Sequence, residues 1–320
     1  MALLAVAASW GATFVMVKEA LDQTGPLTFV AFRFWLAALA MAPLLVRPWR
    51  GADPASAASV AEAATHDGAI VGAATHGGAI GTAAMSGSAP ARALPGGVAL
   101  AGVLIGICLF AGYALQTAGL QFTGAGRAGF ITGLNVVIVP LLAAKVGRQR
   151  VGRAVAAGVA LAAVGLGLLS LGDITSQPLA ASVGDLLVLG CALAFALHIV
   201  AVGQFAALHD AVRLTFVQIA TVAAAGTVAA LVWERPTLGE LFAVWPAAAF
   251  TGLVCTALAF GAQVTAQRFT SPTHTALVFS TEPVFGLVFA YWLGNERLGA
   301  AELGGCALIL AGMVLAQLDE

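Results

Sequence analysis

The sequence predicts an all-α integral membrane protein of ten transmembrane helices, arranged as two inverted five-helix repeats. Three observations predict it: a composition too apolar for a soluble surface, ten apolar runs of membrane-spanning length, and a match between the two halves of the chain.

Of 320 residues, 60% are hydrophobic and 9% charged, with a mean hydropathy of +0.97. Soluble domains use roughly 45–50% apolar and 25% charged residues. The net charge of −1 gives no basic excess to attract nucleic acid. Cys108, Cys191, Cys255 and Cys306 all sit inside apolar runs without C-x-x-C spacing, and read as small packing residues. There is no G-x-x-x-x-G-K-[ST], so the chain carries no ATPase of its own. H-E-x-x-H and G-x-S-x-G are missing too, which leaves an enzyme without an evident metal or nucleophile. The reading is therefore not an enzyme, with no cofactor and no metal.

A helix needs about 20 apolar residues to cross the hydrocarbon. The first run, Ala2 to Leu21, has no basic region before it and a second long run after it, so it is read as a retained helix. Charged, Pro-rich and Gly-rich punctuation then bounds Pro26 to Val46, Gly97 to Leu120, Ala128 to Val146, Val151 to Leu171 and Val183 to Gly203. The series closes with Leu214 to Trp233, Trp245 to Gln267, Thr275 to Leu293 and Ala300 to Leu318. With the N-terminus cytoplasmic, Arg47, Arg50, Arg92, Lys145, Arg148, Arg150, Arg153, Arg213 and Arg268 fall inside. Only Lys18, Arg127, Arg235 and Arg297 fall outside, so both termini are expected in the cytoplasm.

Residues 51–93 differ. They are Ala, Gly, Ser and Thr with scattered charge, and carry the near-copies Thr65-His-Asp-Gly-Ala-Ile and Thr75-His-Gly-Gly-Ala-Ile. Such a composition cannot bury a core and is read as a disordered cytoplasmic loop. His66 and His76 lack Cys or carboxylate partners at ligand spacing.

Sliding residues 127–168 onto 274–315 needs no gap and pairs Gly147 with Gly294, Gly158 with Gly305 and Gly165 with Gly312. Roughly a quarter of that window is identical. The same shift pairs Tyr113 with Phe260, Gln116 with Gln263 and Asn135 with Glu282, and a longer one pairs Trp10 with Phe195 and Arg33 with Gln218. The boundaries that follow are 1–171 for the first repeat and 182–320 for the second. Five helices per copy force opposite orientations in the membrane, the architecture of many secondary transporters.

Charges far from helix ends are expensive in a bilayer and so mark sites. Glu282 lies mid-span in Phe279-Ser-Thr-Glu-Pro-Val, where Pro283 frees backbone carbonyls. Two readings stand, a proton or substrate site and a buried structural acid. Its mate Asn135 is polar and central, with Pro140 in the same helix. Arg33 either snorkels to the outer interface, binds an anionic group or pairs with Glu282. Gln116 and Gln263, each a turn from Tyr113 or Phe260, suit a small-molecule cavity or interhelical hydrogen bonds equally well. Trp10, Phe14, His198 and Gln218 complete the candidate binding residues.

Trp10-Gly-Ala-Thr-Phe-Val-Met-Val-Lys, Phe32-Arg-Phe-Trp-Leu-Ala-Ala-Leu and Ala114-Leu-Gln-Thr-Ala-Gly-Leu-Gln-Phe-Thr resemble the first half of EamA-type members of the drug/metabolite transporter superfamily. The run Glu282-Pro-Val-Phe-Gly-Leu-Val-Phe-Ala-Tyr-Trp-Leu-Gly-Asn-Glu-Arg-Leu, with Gly304-Gly-Cys-Ala-Leu-Ile-Leu-Ala-Gly, resembles the close of the second half. The resemblance spans nearly the whole chain apart from the Ala/Gly loop. It implies ten helices around a central cavity in the bacterial cytoplasmic membrane, exporting metabolites, amino acids or drugs. The family's recurrent positions fall on Trp10, Arg33, Glu282, Pro283 and Glu296, while Gln149 stands where many relatives keep an acid.

The expectation is a permease working by alternating access on a small organic solute, with protons as a candidate coupling ion. The bilayer is its surrounding partner, and a homodimer is compatible with the sequence. The rival class is an intramembrane enzyme or lipid scramblase using the same cavity.

Overall fold

The structure is a computed structural model that describes residues 1–11, 13–46, 97–123, 125–147, 151–169, 183–294 and 299–316. The regular elements among them are all helical. Helices α1 (Ala2–Gly11) and α2 (Phe14–Leu21) divide the first apolar run. Then come α3 (Pro26–Met41), extended by a 3-10 turn at Ala42–Val46, α4 (Gly97–Leu120), α5 (Ala125–Gly133), α6 (Asn135–Gly147) and α7 (Arg153–Leu169). The second half holds α8 (Val183–Phe205), α9 (Ala211–Trp233), the short α10 (Leu238–Ala243) and α11 (Trp245–Gly252). A π turn, Leu253–Leu258, joins α11 to α12 (Ala259–Ala266), followed by α13 (Pro272–Phe279), α14 (Glu282–Gly294) and α15 (Ala300–Ala316). The Ala/Gly loop at 51–93 lies outside the described residues.

Among the described residues, six segments are long and apolar enough to cross a membrane: Pro26–Val46, Gly97–Leu120, Ala128–Val146, Val183–Phe205, Ala211–Trp233 and Trp245–Ala266. The chain is therefore a multi-pass membrane protein. Ala2–Gly11, Arg153–Leu168 and Ala300–Ala316 are shorter apolar helices. The ninth expected span is interrupted at Ser280–Thr281, where both hydroxyls bond back to the carbonyls of Leu277 (2.7 Å) and Val278 (2.6 Å). Those local bonds compete with the continuing helical ladder and end α13.

Helix starts follow capping chemistry. The Asp210 carboxylate accepts from the Arg213 amide at 2.9 Å to open α9, and Ser271 accepts from the His274 amide at 3.2 Å to open α13 on Pro272. Helix α3 has Gly25 in the capping position and no carboxylate of its own. Glu234, the residue after α9, supplies one across space, accepting from the amides of Leu27 (2.8 Å) and Thr28 (2.7 Å) and from the Thr28 hydroxyl (2.7 Å). Arg235, held at φ 55°, turns the chain out of α9 through a bond from its amide to the Ala230 carbonyl at 2.8 Å. A Cβ at Gly25 would strike the Glu234 carboxylate. Glu234→Ala is expected to cost about 0.5–2 kcal/mol, as other lost N-caps do, and thermal unfolding of the purified protein should show it. An unchanged midpoint would remove this cap from the account.

The most extensive contact is α7 against α15, followed by α8 against α4 and α9 against both α3 and α4. At the α7–α15 seam a Cβ on Gly158 would meet the Gly312 carbonyl oxygen, and one on Gly165 would meet that of Gly305 at 2.6 Å. Small residues let the two backbones touch, the usual route to tight packing in lipid. Where α3, α4, α9 and α12 meet lies a core in which Phe34, Phe260 and Leu109 are fully buried, with Trp10, Tyr113 and Phe195 packed against it.

Candidate functional site

The site is organised by the π turn. In a π turn the carbonyls bond one residue further along, which leaves backbone groups free for side chains. The Cys255 carbonyl accepts the indole N–H of Trp10 at 2.8 Å. The next residue, Thr256, donates its hydroxyl to the Thr251 carbonyl at 2.9 Å and accepts from the Arg33 guanidinium, Nε at 3.2 Å and Nη2 at 3.0 Å. Two of the positions singled out in the sequence, Trp10 and Arg33, thus anchor on consecutive residues of one turn. Arg33 does not reach the surface: it is 5% exposed, with its charge 5.0 Å from the Tyr113 ring and 5.4 Å from that of Phe34. Gly252 admits it, since a Cβ there would fall 2.6 Å from the Arg33 carbonyl.

Glu282 is the first residue of α14, and Pro283 follows in the helix's first turn, where a missing N–H costs nothing. Its half-buried carboxylate has no hydrogen bond or ion pair among the described residues. It lies within electrostatic reach of Tyr113, Cys191 and Cys255, and Arg33 within reach of Tyr113 and Cys255, so the two charges flank common neighbours without pairing. Asn135 has the same placement in the first half, opening α6 after a break at Leu134. Both are half-helix starts, where amide N–H groups point outward and favour anionic groups.

The remaining candidates divide. Phe260 is 2% exposed and touches the rings of Trp10 (5.5 Å), Phe34 (6.3 Å) and His198 (5.7 Å). Tyr113 stands edge-on to Phe34 at 5.3 Å and to Phe195 at 5.4 Å. These aromatics gather with Trp10 and Arg33 into one wall. Gln263 is turned the other way, donating to Gln267 at 2.9 Å, which in turn donates to the Ile199 carbonyl at 2.9 Å. His198 is held by Gln218 at 2.9 Å. Gln116 is half-buried on α4 with no side-chain hydrogen bond among the described residues. The side chain of Phe14 and all of Glu296 and Gln149 lie outside what is described.

Thr256, Cys255 and Phe34 were not expected as site residues. No sequence pattern announces a π turn. The one available signal is Thr251 and Thr256, two hydroxyls five residues apart in an apolar run.

A cavity of about 830 Å³ opens at the end of the molecule bearing Gln23–Leu27, Gln121 and Trp233–Glu240. Its lining includes Phe110 and Ala114 of α4. Phe110 packs on the same cluster as Trp10, Phe34, Tyr113 and Phe260. The cavity is the size of a small-molecule site.

These features define a multi-pass membrane protein in which a buried arginine stands among aromatic rings. Residues 1–83 and 182–318 match the family model of the EamA-like transporter family, and the chain belongs to that family. An uncharacterized transporter of Archaeoglobus fulgidus is 28% identical over 328 residues, covering 99% of this chain and 84% of that protein. A protein of known crystal structure superposes with a TM-score of 0.69 over 99% of this chain and 95% of its own, at 17% identity, a likeness of fold alone. The family and the transporter relative point to a membrane transporter rather than an enzyme.

Proposed function

We propose that this protein is a secondary transporter moving small organic solutes, among them metabolites, amino acids or drugs, across a bacterial cytoplasmic membrane by alternating access. Two inverted repeats, 1–171 and 182–320, rock about a central site, with both termini cytoplasmic. Solute binds among Trp10, Arg33, Tyr113, Asn135, Phe260 and Glu282, and Glu282 exchanges the coupling proton.

The carrying observation is the pair of half-helix starts, Asn135 and Glu282, one in each half of the chain at positions the internal match equates. The packing supports the same symmetry. A two-fold axis exchanging the halves turns an α4–α8 contact into α1–α12, α6–α8 into α1–α14, and α4–α9 into α3–α11, and all six contacts occur. It also turns a contact of Gly158 with Gly312, the mate of Gly165, into one of Gly305, the mate of Gly158, with Gly165. Both contacts occur.

The test is flux into proteoliposomes. Candidate solutes come from comparing metabolite and drug tolerance between deletion and overexpressing strains. Glu282→Gln keeps the side chain's shape but cannot release a proton. It is expected to abolish flux driven by a pH gradient, and to weaken solute exchange without a gradient far less. Unchanged gradient-driven flux would remove Glu282 from coupling.

A further inference from the structure

Four polar side chains are buried together around one turn of α8, apart from the Arg33 and Glu282 groups. Gln218 is 0% exposed, Gln263 1%, His198 2% and Gln267 3%. Their hydrogen bonds fix most of the cluster. Gln267 must turn its amide N–H toward the Ile199 carbonyl, so its oxygen faces Gln263, and Gln263 must donate to it. That leaves Gln263 Oε1 without a partner among the described residues. On the other side, His198 Nε2 engages Gln218 Oε1, and Gln218 Nε2 has no partner either.

The two unpartnered atoms belong to side chains whose anchors are neighbours. His198 and Ile199, the anchors of the two carboxamides, are adjacent in the chain. Phe260, one helical turn before Gln263, lies against the His198 ring. One atom is a donor and the other an acceptor, each inside an apolar bundle where an unmade hydrogen bond is costly.

We propose that this turn of α8 is a hydration site, holding one buried water that accepts from Gln218 Nε2 and donates to Gln263 Oε1. Water is the fitting occupant because it gives and takes hydrogen bonds at once, and buried waters typically join two to four polar groups. The assignment survives rotation of the Gln218 amide, which would present an oxygen instead, since the same water donates there. The site binds a solvent molecule beside Phe260, a residue that also touches Trp10 and Phe34. It does not depend on the transport reading.

Two measurements on the full chain in nanodiscs test it. An experimental structure resolving ordered solvent should show one density peak within about 2.7–3.2 Å of both atoms. A direct Gln218–Gln263 bond, or no peak, overturns the proposal. Radiolytic footprinting, in which hydroxyl radicals form from water itself, should label His198 and Phe260 at rates near those of exposed side chains. The double variant Gln218→Met and Gln263→Met should cut that labelling about tenfold. Wild-type labelling at the low rate of dry core residues, or labelling unchanged by the double variant, also overturns it.

Discussion

Gly158→Leu is expected to leave little or no monodisperse protein after detergent extraction, with Gly312→Leu equally severe. The Cβ that either substitution adds falls on a carbonyl oxygen of the facing helix, and a backbone atom cannot rotate away as a side-chain tip can. Overpacking a core usually costs about 1–3 kcal/mol and occasionally more. Relief means parting α7 from α15 along their shared length, the most extensive helix contact among the described residues, so the cost should exceed that range. Gly304 lies on the same α15 but has nothing within 4 Å of its Cβ position. Gly304→Ala should therefore be neutral or stabilising by up to about 1 kcal/mol, the helix-propensity difference. Fluorescence-detected size exclusion with a thermal ramp measures all three. A Gly158→Leu protein with an unchanged profile would mean the seam is not close-packed.

Arg33→Met is expected to abolish solute flux while the protein still folds. Methionine fills much of the volume against Phe34 and Tyr113 but returns neither the charge nor the bonds to Thr256. Hydrogen bonds to charged groups contribute about 1.5–3 kcal/mol, so flux should fall at least tenfold if those bonds position the bound solute. Arg33→Lys is expected to rescue poorly. Lysine is a point charge, unable to present two fixed N–H groups to one hydroxyl. Thr256→Val probes the same contact from the other side and should reproduce part of the loss, about 1–3 kcal/mol, by leaving the buried cation short of an acceptor. Wild-type flux in Arg33→Met would confine Arg33 to a packing role. Flux and unfolding temperature should be read on the same preparations, so that lost activity is not mistaken for lost protein.

Much of the architecture was legible before any coordinates. Hydropathy finds helices well because lipid offers the backbone no other partner, and the internal glycine matches Gly158 with Gly305 and Gly165 with Gly312 mark what became the α7–α15 seam. The breaks were harder to read. Pro283 drew attention to Glu282, yet the interruption falls at Ser280 and Thr281, whose hydroxyls bond their own backbone, a choice that depends on what packs outside. The π turn was invisible for a similar reason. Its partners lie more than two hundred positions away, Trp10 donating to the Cys255 carbonyl and Arg33 to the Thr256 hydroxyl. Long-range partners of that kind leave no periodicity. Gln263, which suited a cavity amide or an interhelical bond equally well in the sequence, donates to Gln267, and it is Gln267 that reaches the α8 backbone.

The cap on α3 ties together two stretches of chain that lie far apart in sequence. The later half opens its helix α9 with its own Asp210, while the earlier half has Gly25 at the start of α3 and borrows Glu234 from the other. The start of α3 is thus secured from the far end of α9, more than two hundred positions along the chain, so the two segments cannot order independently: whatever frays the last turn of α9 also loosens the entry into α3.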